Sequence, residues 1–454
     1  MNKKQKNPLI EFLASVQLAI FLLFLLASTS IIGTLIQQNN PAGFYVEQYG
    51  AKAARLFHLL NITDMYNSWW FLGLLMFFAL NLTVCSLERI PGVIRLVRRD
   101  NLTSTPEQLL KMPLNKEITS PVASTKSALL VRQFFSEIGW KCFEKKGEKN
   151  TILFFAQKTP WSRYGVYVVH LSILVILAGA IVGSSTFTEK VLRLPGFAYK
   201  GFVMLPEEAS TDRVYATKSN KPIELGFNLR CDEFHIAFYP NGMPKTYRSK
   251  VTILEQGKPI LAHDIEVNKP LHYKGVTFYQ SSYQPLPQFQ AQLKKTGAST
   301  TQATIQLAQE NEWAEAGVRY GIIKLDTQGE MAKAAKIWFS DNIGEPTTFW
   351  VEMGKEKQLN KPSGQYQFTL QQSYATGLQV AKDPGVWLVY GGCLLMLLGL
   401  YTAFFMSHRK LFVLVTPRKD GKSHLIFAGT ANKNKVRFAE LFAQYAEKLE
   451  RSQK

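Results

Sequence analysis

The chain has 454 residues, enough for two or three ordinary domains, and its 46% apolar content averages to a mean hydropathy of −0.06. Its 53 Lys and Arg against 34 Asp and Glu give a formal charge of +19, which admits nucleic acid, anionic lipid or an acidic small molecule as partner. The four cysteines, Cys85, Cys142, Cys231 and Cys393, form no CxxC and no metal-ligand spacing, which excludes a disulfide framework, a zinc site and a thioredoxin-like role.

Taken in order, residues 1–11 are a short basic N-terminus and residues 12–36 a first apolar run built on SVQLAIFLLFLLASTSIIGTLI. That run is longer than the apolar core of a signal peptide and has no small-residue cleavage site, so it reads as an uncleaved span. Residues 37–68 hold an amphipathic helix candidate, AKAARLFHLLNI, followed by Trp69 and Trp70 as an interfacial aromatic pair. A second span covers 69–87. Residues 88–163 form a small α/β unit, in which STKSALLVRQFFSEIGW has helical spacing while KCFEKK and NTILFFAQK pair across Gly147.

The third span is 164–183 and the fourth 385–406; each run is long enough to cross about 30 Å of hydrocarbon. Between them, residues 184–384 alternate with period two through runs such as CDEFHIAFY, the turn PNGMP, KTYRSKVTIL, PILAHDIEV, GVTFYQSSY and FQAQLKK. This is the pattern of an all-β, sandwich-like domain with its own core. Residues 407–454 add a hairpin and an amphipathic helix with Phe438, Leu441, Phe442, Tyr445 and Leu449 on one face.

The fold class is therefore an integral membrane protein with four transmembrane α-helices, a large extracytoplasmic β domain and a small cytoplasmic α/β unit. Charge sets that orientation. Lys3, Lys4 and Lys6 precede span one, Arg89, Arg95, Arg98 and Arg99 follow span two, Arg163 abuts span three, and His408, Arg409 and Lys410 follow span four. The positive-inside rule puts both termini and 88–163 in the cytoplasm, and 37–68 and 184–384 outside. Much of the basic excess is then an orientation signal, and nucleic acid drops out because no face interleaves basic and aromatic residues.

Within the spans His170 alone is readily ionisable near neutral pH. It lies roughly 10 Å in from the cytoplasmic end at 1.5 Å per residue. An imidazole at that depth hydrogen-bonds a neighbouring helix, relays protons, or ligates a metal or haem iron, and the residues alone leave these open. Gly179 and Gly183 form a small-xxx-small pair on the same helix, and Gly385, Gly392 and Gly399 recur every seven residues on span four. Both stripes let backbones approach closely. Four spans are too few to enclose a haem-sized cavity, which implies a second membrane subunit. Outside, His235, His263 and His272 are the candidates for contact with haem or metal, although strand histidines without an HxH or HExxH spacing read first as structural groups. No nucleophile elbow, carboxylate pair or phosphate loop is present, and Ser281-Ser282 has no base signature beside it.

Six separated stretches resemble ResB/CcsB proteins: 15–39 in span one, YNSWWF with NLTVCSLERIP, GVYVVHLSILVILAGAIVG, FYPNGMPKTYRS, EVNKPLHYKGVTFYQSSY, and DPG before span four. One departure is Gln37-Gln38, where the family commonly has Pro. The resemblance implies a non-catalytic or accessory subunit of the System II cytochrome c synthase in the bacterial cytoplasmic (inner) membrane. It implies a CcsA/ResC-type partner carrying the WWD segment, apocytochrome c as client, thiol-reducing proteins nearby, and haem b as transported substrate. It also implies that His170 is one axial ligand of a haem shared with the partner. On that reading Gly179 and Gly183 leave room beside the macrocycle, and Arg163 steers the propionates, although orientation alone also explains an arginine there. The competing readings are a membrane-anchored apocytochrome-binding scaffold with no haem ligation of its own, and a self-contained transporter, against which four unbroken spans argue.

Overall fold

The computed structural model describes residues 7–98, 101–194, 196–217, 219–238, 244–297 and 300–454. Lys3, Lys4, Lys6, Arg99 and the turn at 239–243 lie outside them. Among the described residues, four helices are long and apolar enough to cross a membrane, Val16–Leu35, Trp69–Arg98, Pro160–Val182 and Val386–Phe405. The chain divides into two compact units, one of 1–178 with 387–454 and one of 179–386.

In the first unit, a short helix Pro8–Leu13 precedes span one, which starts at Val16 with the Ser15 hydroxyl accepting from the Leu18 N–H at 3.4 Å. The break between the two helices leaves carbonyls to satisfy. Asn81 of span two, wholly buried, donates to Leu13 O at 2.7 Å and Ser15 O at 3.2 Å. At the other end of span one, Gln38 donates to Gly33 O and Ile36 O and accepts from the Met65 N–H at 2.9 Å. The Gln38 side chain is thus a helix cap that ties span one to the turn Ile62–Asn67. The helix between spans one and two runs from Ala42 to Leu59 with a break at Gly50, where φ is 80°, and so begins well before the stretch read from its amphipathic pattern.

Span two belongs to a helix of 30 residues, about 45 Å long, that passes through Pro91 and runs on beyond its apolar stretch. The segments on either side of spans three and four then make one sheet. Its antiparallel order is 114–120, 423–431, 409–417, 152–158, 142–146. The hairpin after span four and the small α/β unit are therefore a single domain. Helices Ser124–Glu137 and Lys435–Ser452 cover one face, where Phe427 and Phe442 stack at 4.5 Å, while Leu109 packs on the other face against Phe155 and Phe412. Burial on both faces is why the central strands read as the unbroken runs LFVLV and ILFFA.

His408 stands at the root of this sheet and carries no orientation charge. It is 2% exposed, its backbone N–H donates to Asn432 Oδ1 at 2.7 Å, and its Nε2–H donates to Gln157 Oε1 at 3.0 Å. Burial, aided by the Lys410 and Arg163 charges, pushes its pKa down to about 4. The fold therefore favours the neutral ring. Its contribution is complete above the ordinary value of 6.5 and is lost as pH falls from there towards 4, about 3 kcal/mol in all. Amide exchange across 409–417 is expected to accelerate over that window, and His408→Gln to remove the pH dependence.

The second unit is strand-rich. Its large sheet runs 300–306, 276–295, 364–382, 199–206, 210–216, 222–238, 244–255, 258–266, with 357–361 paired to 364–382 and 271–273 to 276–295. A four-stranded sheet follows the order 310–313, 318–328, 331–340, 347–352. The stretches GVTFYQSSY and FQAQLKK, read as separate strands, are one strand of 20 residues whose register shifts at Gln280/Ser282 and Pro285/Phe289. These bulges let one ribbon serve two cores. Phe278 and Val380 lie in the first, while Phe289 and Phe368 lie in the second, shared with the small sheet through Ile337 and Phe339.

The loop from 341 to 363 is held by buried Asp341, whose carboxylate accepts from the Gly344 N–H at 3.1 Å and the Ser363 hydroxyl at 2.7 Å. Burial raises its pKa, but the Ser363 hydroxyl and the Gly344, Ser363 and Ile343 N–H groups more than reverse this and hold it at about 2. Asp341→Ala is expected to cost about 2 kcal/mol, read as faster amide exchange at 342–364. Wild type should show the same loosening only as pH falls from 3.8 towards 2.

Candidate functional site

Span three is apolar on every side, as GVYVVHLSILVILAGAIV requires, and His170 sits in its second turn. The ring is half-buried against span two, where its Nδ1 meets Ser86 Oγ at 2.8 Å. Tyr167, one turn back on the same helix, presents its ring edge-on at 6.1 Å. Arg89 lies one turn beyond Ser86 on span two, and its charge is felt at both Tyr167 and His170. Among the described residues Nε2 of His170 has no hydrogen bond, so one ring nitrogen is held and the other is open. The group is thus an oriented imidazole with an aromatic edge and a cation towards the same helix ends. One imidazole supplies one ligand, and among the described residues no three His, Cys, Asp or Glu side chains converge to hold a metal ion.

The glycine stripes do something other than open space beside that ring. Span three packs on span four along the residues that a Cβ on the glycines would strike. A Cβ on Gly399 would lie 2.8 Å from Val169 Cγ2 and 2.9 Å from Val169 N, and one on Gly392 would lie 2.6 Å from Ile176 Cγ1 and 3.1 Å from Ser172 O. Further along, Gly385 would meet the Gly179 carbonyl and, at 2.6 Å, Gly183 N, while Gly183 faces the Asp383 carboxylate. Asp383 in turn accepts from the Gly385 N–H at 2.9 Å, which accounts for the DPG stretch as a cap with a close approach behind it. The packing row on span three lies roughly 130° round the helix from His170. The face that carries Gly179 and Gly183 is filled by the chain itself, so these glycines serve close packing.

The three external candidates do not converge. His235 is exposed, opposite Arg248, and His263 is opposite buried Val251, so the two point to different faces of the sheet. His263 Nε2 is buried without a hydrogen bond. His272 is exposed, with Nδ1 bonded to its cross-strand neighbour Thr277 at 2.9 Å. Arg163 sits in the turn Pro160–Tyr164, and its charge is felt at His408; Arg89 is the cation at His170. Sequence pattern does not single out Ser86, and it marks Arg89 only as an orientation charge. The available signal is a polar residue within NLTVCSL, one helical turn before the basic flank.

The ResB-like family model matches residues 16–357 and 345–443, most of the chain. The chain is similar to the cytochrome c biogenesis protein CcsB of Microcystis aeruginosa, 27% identical over 97% of this chain and 95% of that protein. It is equally similar to CcsB of Crocosphaera subtropica, 27% identical over 99% and 96%. CcsB of Gloeobacter violaceus is 26% identical over 95% of this chain and 89% of that protein.

Proposed function

The chain belongs to the ResB-like family and is a membrane protein of cytochrome c biogenesis, and from that premise we propose that it is the haem-delivering, non-catalytic subunit of a cytochrome c synthase. Its cargo is haem b. Its partner is a CcsA/ResC-type membrane protein, and the pair carries haem across the bacterial cytoplasmic membrane for attachment to CxxCH of apocytochrome c. Both termini and the five-stranded domain lie in the cytoplasm, with the strand-rich unit outside, where it meets apocytochrome c and thiol-reducing proteins. Two features support that layout. Arg89, Arg95, Arg98, Arg409 and Lys410 flank the spans at the ends that join the five-stranded sheet. That sheet also takes strands from both 88–163 and 407–454, so these segments share one side of the bilayer.

The observation that carries the reading is the oriented imidazole within the membrane. A neutral His170 with Nδ1 engaged offers the Nε2 lone pair to one face of the iron, and the partner supplies the opposite ligand. Arg89, at the cytoplasmic end of the same face, matches the anionic propionates. Thioether formation joins each haem vinyl group to a cysteine thiol of CxxCH, and this chain brings no group to that step. Its own work is to bind, orient and release.

The alternative is an apocytochrome-binding scaffold in which the His170–Ser86 bond only packs two helices. The experiment is to co-purify the full chain with its CcsA-type partner and record the visible spectrum. Haem present in wild type, absent in His170→Gly and restored by added imidazole supports delivery. An unchanged Soret band in His170→Gly ends it.

A further inference from the structure

Building on that reading of His170, we propose that Ser86 is the positioning residue of the haem site, and that its lack of charge is what makes the ligand releasable. The argument begins with the bond from Ser86 Oγ to His170 Nδ1, 2.8 Å long and bridging two spans 84 residues apart in sequence. A neutral imidazole carries one proton. Ligation through Nε2 places that proton on Nδ1, and Nδ1–H then donates to Ser86 Oγ. When Nε2 carries the proton instead, the Ser86 hydroxyl turns and donates to Nδ1. A hydroxyl serves both tautomers at one distance, so the ring stays aimed whether or not iron is present.

The identity of the partner group matters as much as its position. Histidine ligands that hold a resident metal commonly give their second N–H to a carboxylate, which raises the basicity of the ring and strengthens the metal bond. Here the partner is a neutral hydroxyl, with no Asp or Glu hydrogen-bonded to the ring among the described residues. Such a ligand is correctly oriented and only moderately basic. That suits a cargo which must leave at each turnover and would hinder one meant to stay.

The test uses the full chain co-purified with its CcsA-type partner and follows haem transfer to apomyoglobin together with the visible spectrum. Ser86→Ala should release haem about tenfold faster than wild type and gain a high-spin component, because the ring is no longer held in the ligating orientation. Ser86→Thr keeps the hydroxyl and should restore the wild-type spectrum and rate. Ser86→Asp, whose carboxylate has Arg89 one turn away, should release haem more slowly than wild type, a change in the opposite direction that loss of packing does not produce. A wild-type rate and spectrum in Ser86→Ala, with haem lost from His170→Gly, overturns the role of Ser86 and leaves the function standing. Release from Ser86→Asp as fast as from wild type overturns the charge argument. Haem retained in His170→Gly overturns the site itself, and Ser86 with it.

Discussion

Replacing His170 with Ala in cells that depend on this chain is expected to lower covalently attached haem in c-type cytochromes by at least about tenfold, with the chain still present in the membrane. The size of the effect follows from what the residue can be replaced by. Among the described residues, no other histidine lies within the four spans, and the nearest polar groups, Ser86 and Tyr167, are poor ligands for haem iron beside a neutral imidazole. The substitution also leaves little structural damage to confuse the result. It removes one hydrogen bond to a serine that can turn back onto its own helix carbonyls, a loss of about 1 kcal/mol in a membrane interior. Haem staining of membrane proteins measures the product, and immunoblotting measures the chain. Normal holocytochrome at normal chain abundance would remove His170 from the transfer path.

A second large effect is expected from Gly399→Leu, this time on the fold. The Cβ alone would lie 2.9 Å from the backbone nitrogen of Val169 and 3.2 Å from the carbonyl of Gly165, atoms that cannot swing aside. Spans three and four must then separate, at a cost of about 3 kcal/mol for the first methylenes forced into a filled interface. The strain does not stay in the bilayer. Span four ends at Phe405, and the central strand of the five-stranded sheet begins at Arg409, so displacing the helix pulls on Ser407 and His408, which are bonded to Asn432 and Gln157. A several-fold drop in steady-state abundance is expected. Gly391→Leu is the control. Eight residues away on the same helix, its Cβ would meet nothing within 4 Å, and abundance should be unchanged. Equal loss from both variants would show that span four does not pack through this stripe.

Much of the layout is legible in the sequence because its causes are local or nearly so. An apolar run of about 20 residues excludes water from its whole length whatever its neighbours are, and the four spans follow from that alone. Alternating strands announce a sheet with one face covered, and a lone ionisable side chain among apolar ones marks His170. Pairing over long separations is less legible. The strands 152–158 and 409–417 are adjacent in the sheet, yet no local pattern says that a hairpin after span four completes a unit begun before span three. The ribbon 276–295 reads as two strands divided at its bulges, because a register shift interrupts the alternation that identifies a strand.

What the sequence by itself determined is the four apolar spans, the strand-rich unit, the family and the one histidine among the apolar residues of those spans. Tertiary structure alone decided which way that imidazole points, what holds it, and what the glycines are for. Periodicity identifies the residues that share a helix face, but the choice of neighbour for each face depends on how whole helices pack. In this chain that packing gives the glycine face to span four and the histidine face to Ser86 of span two.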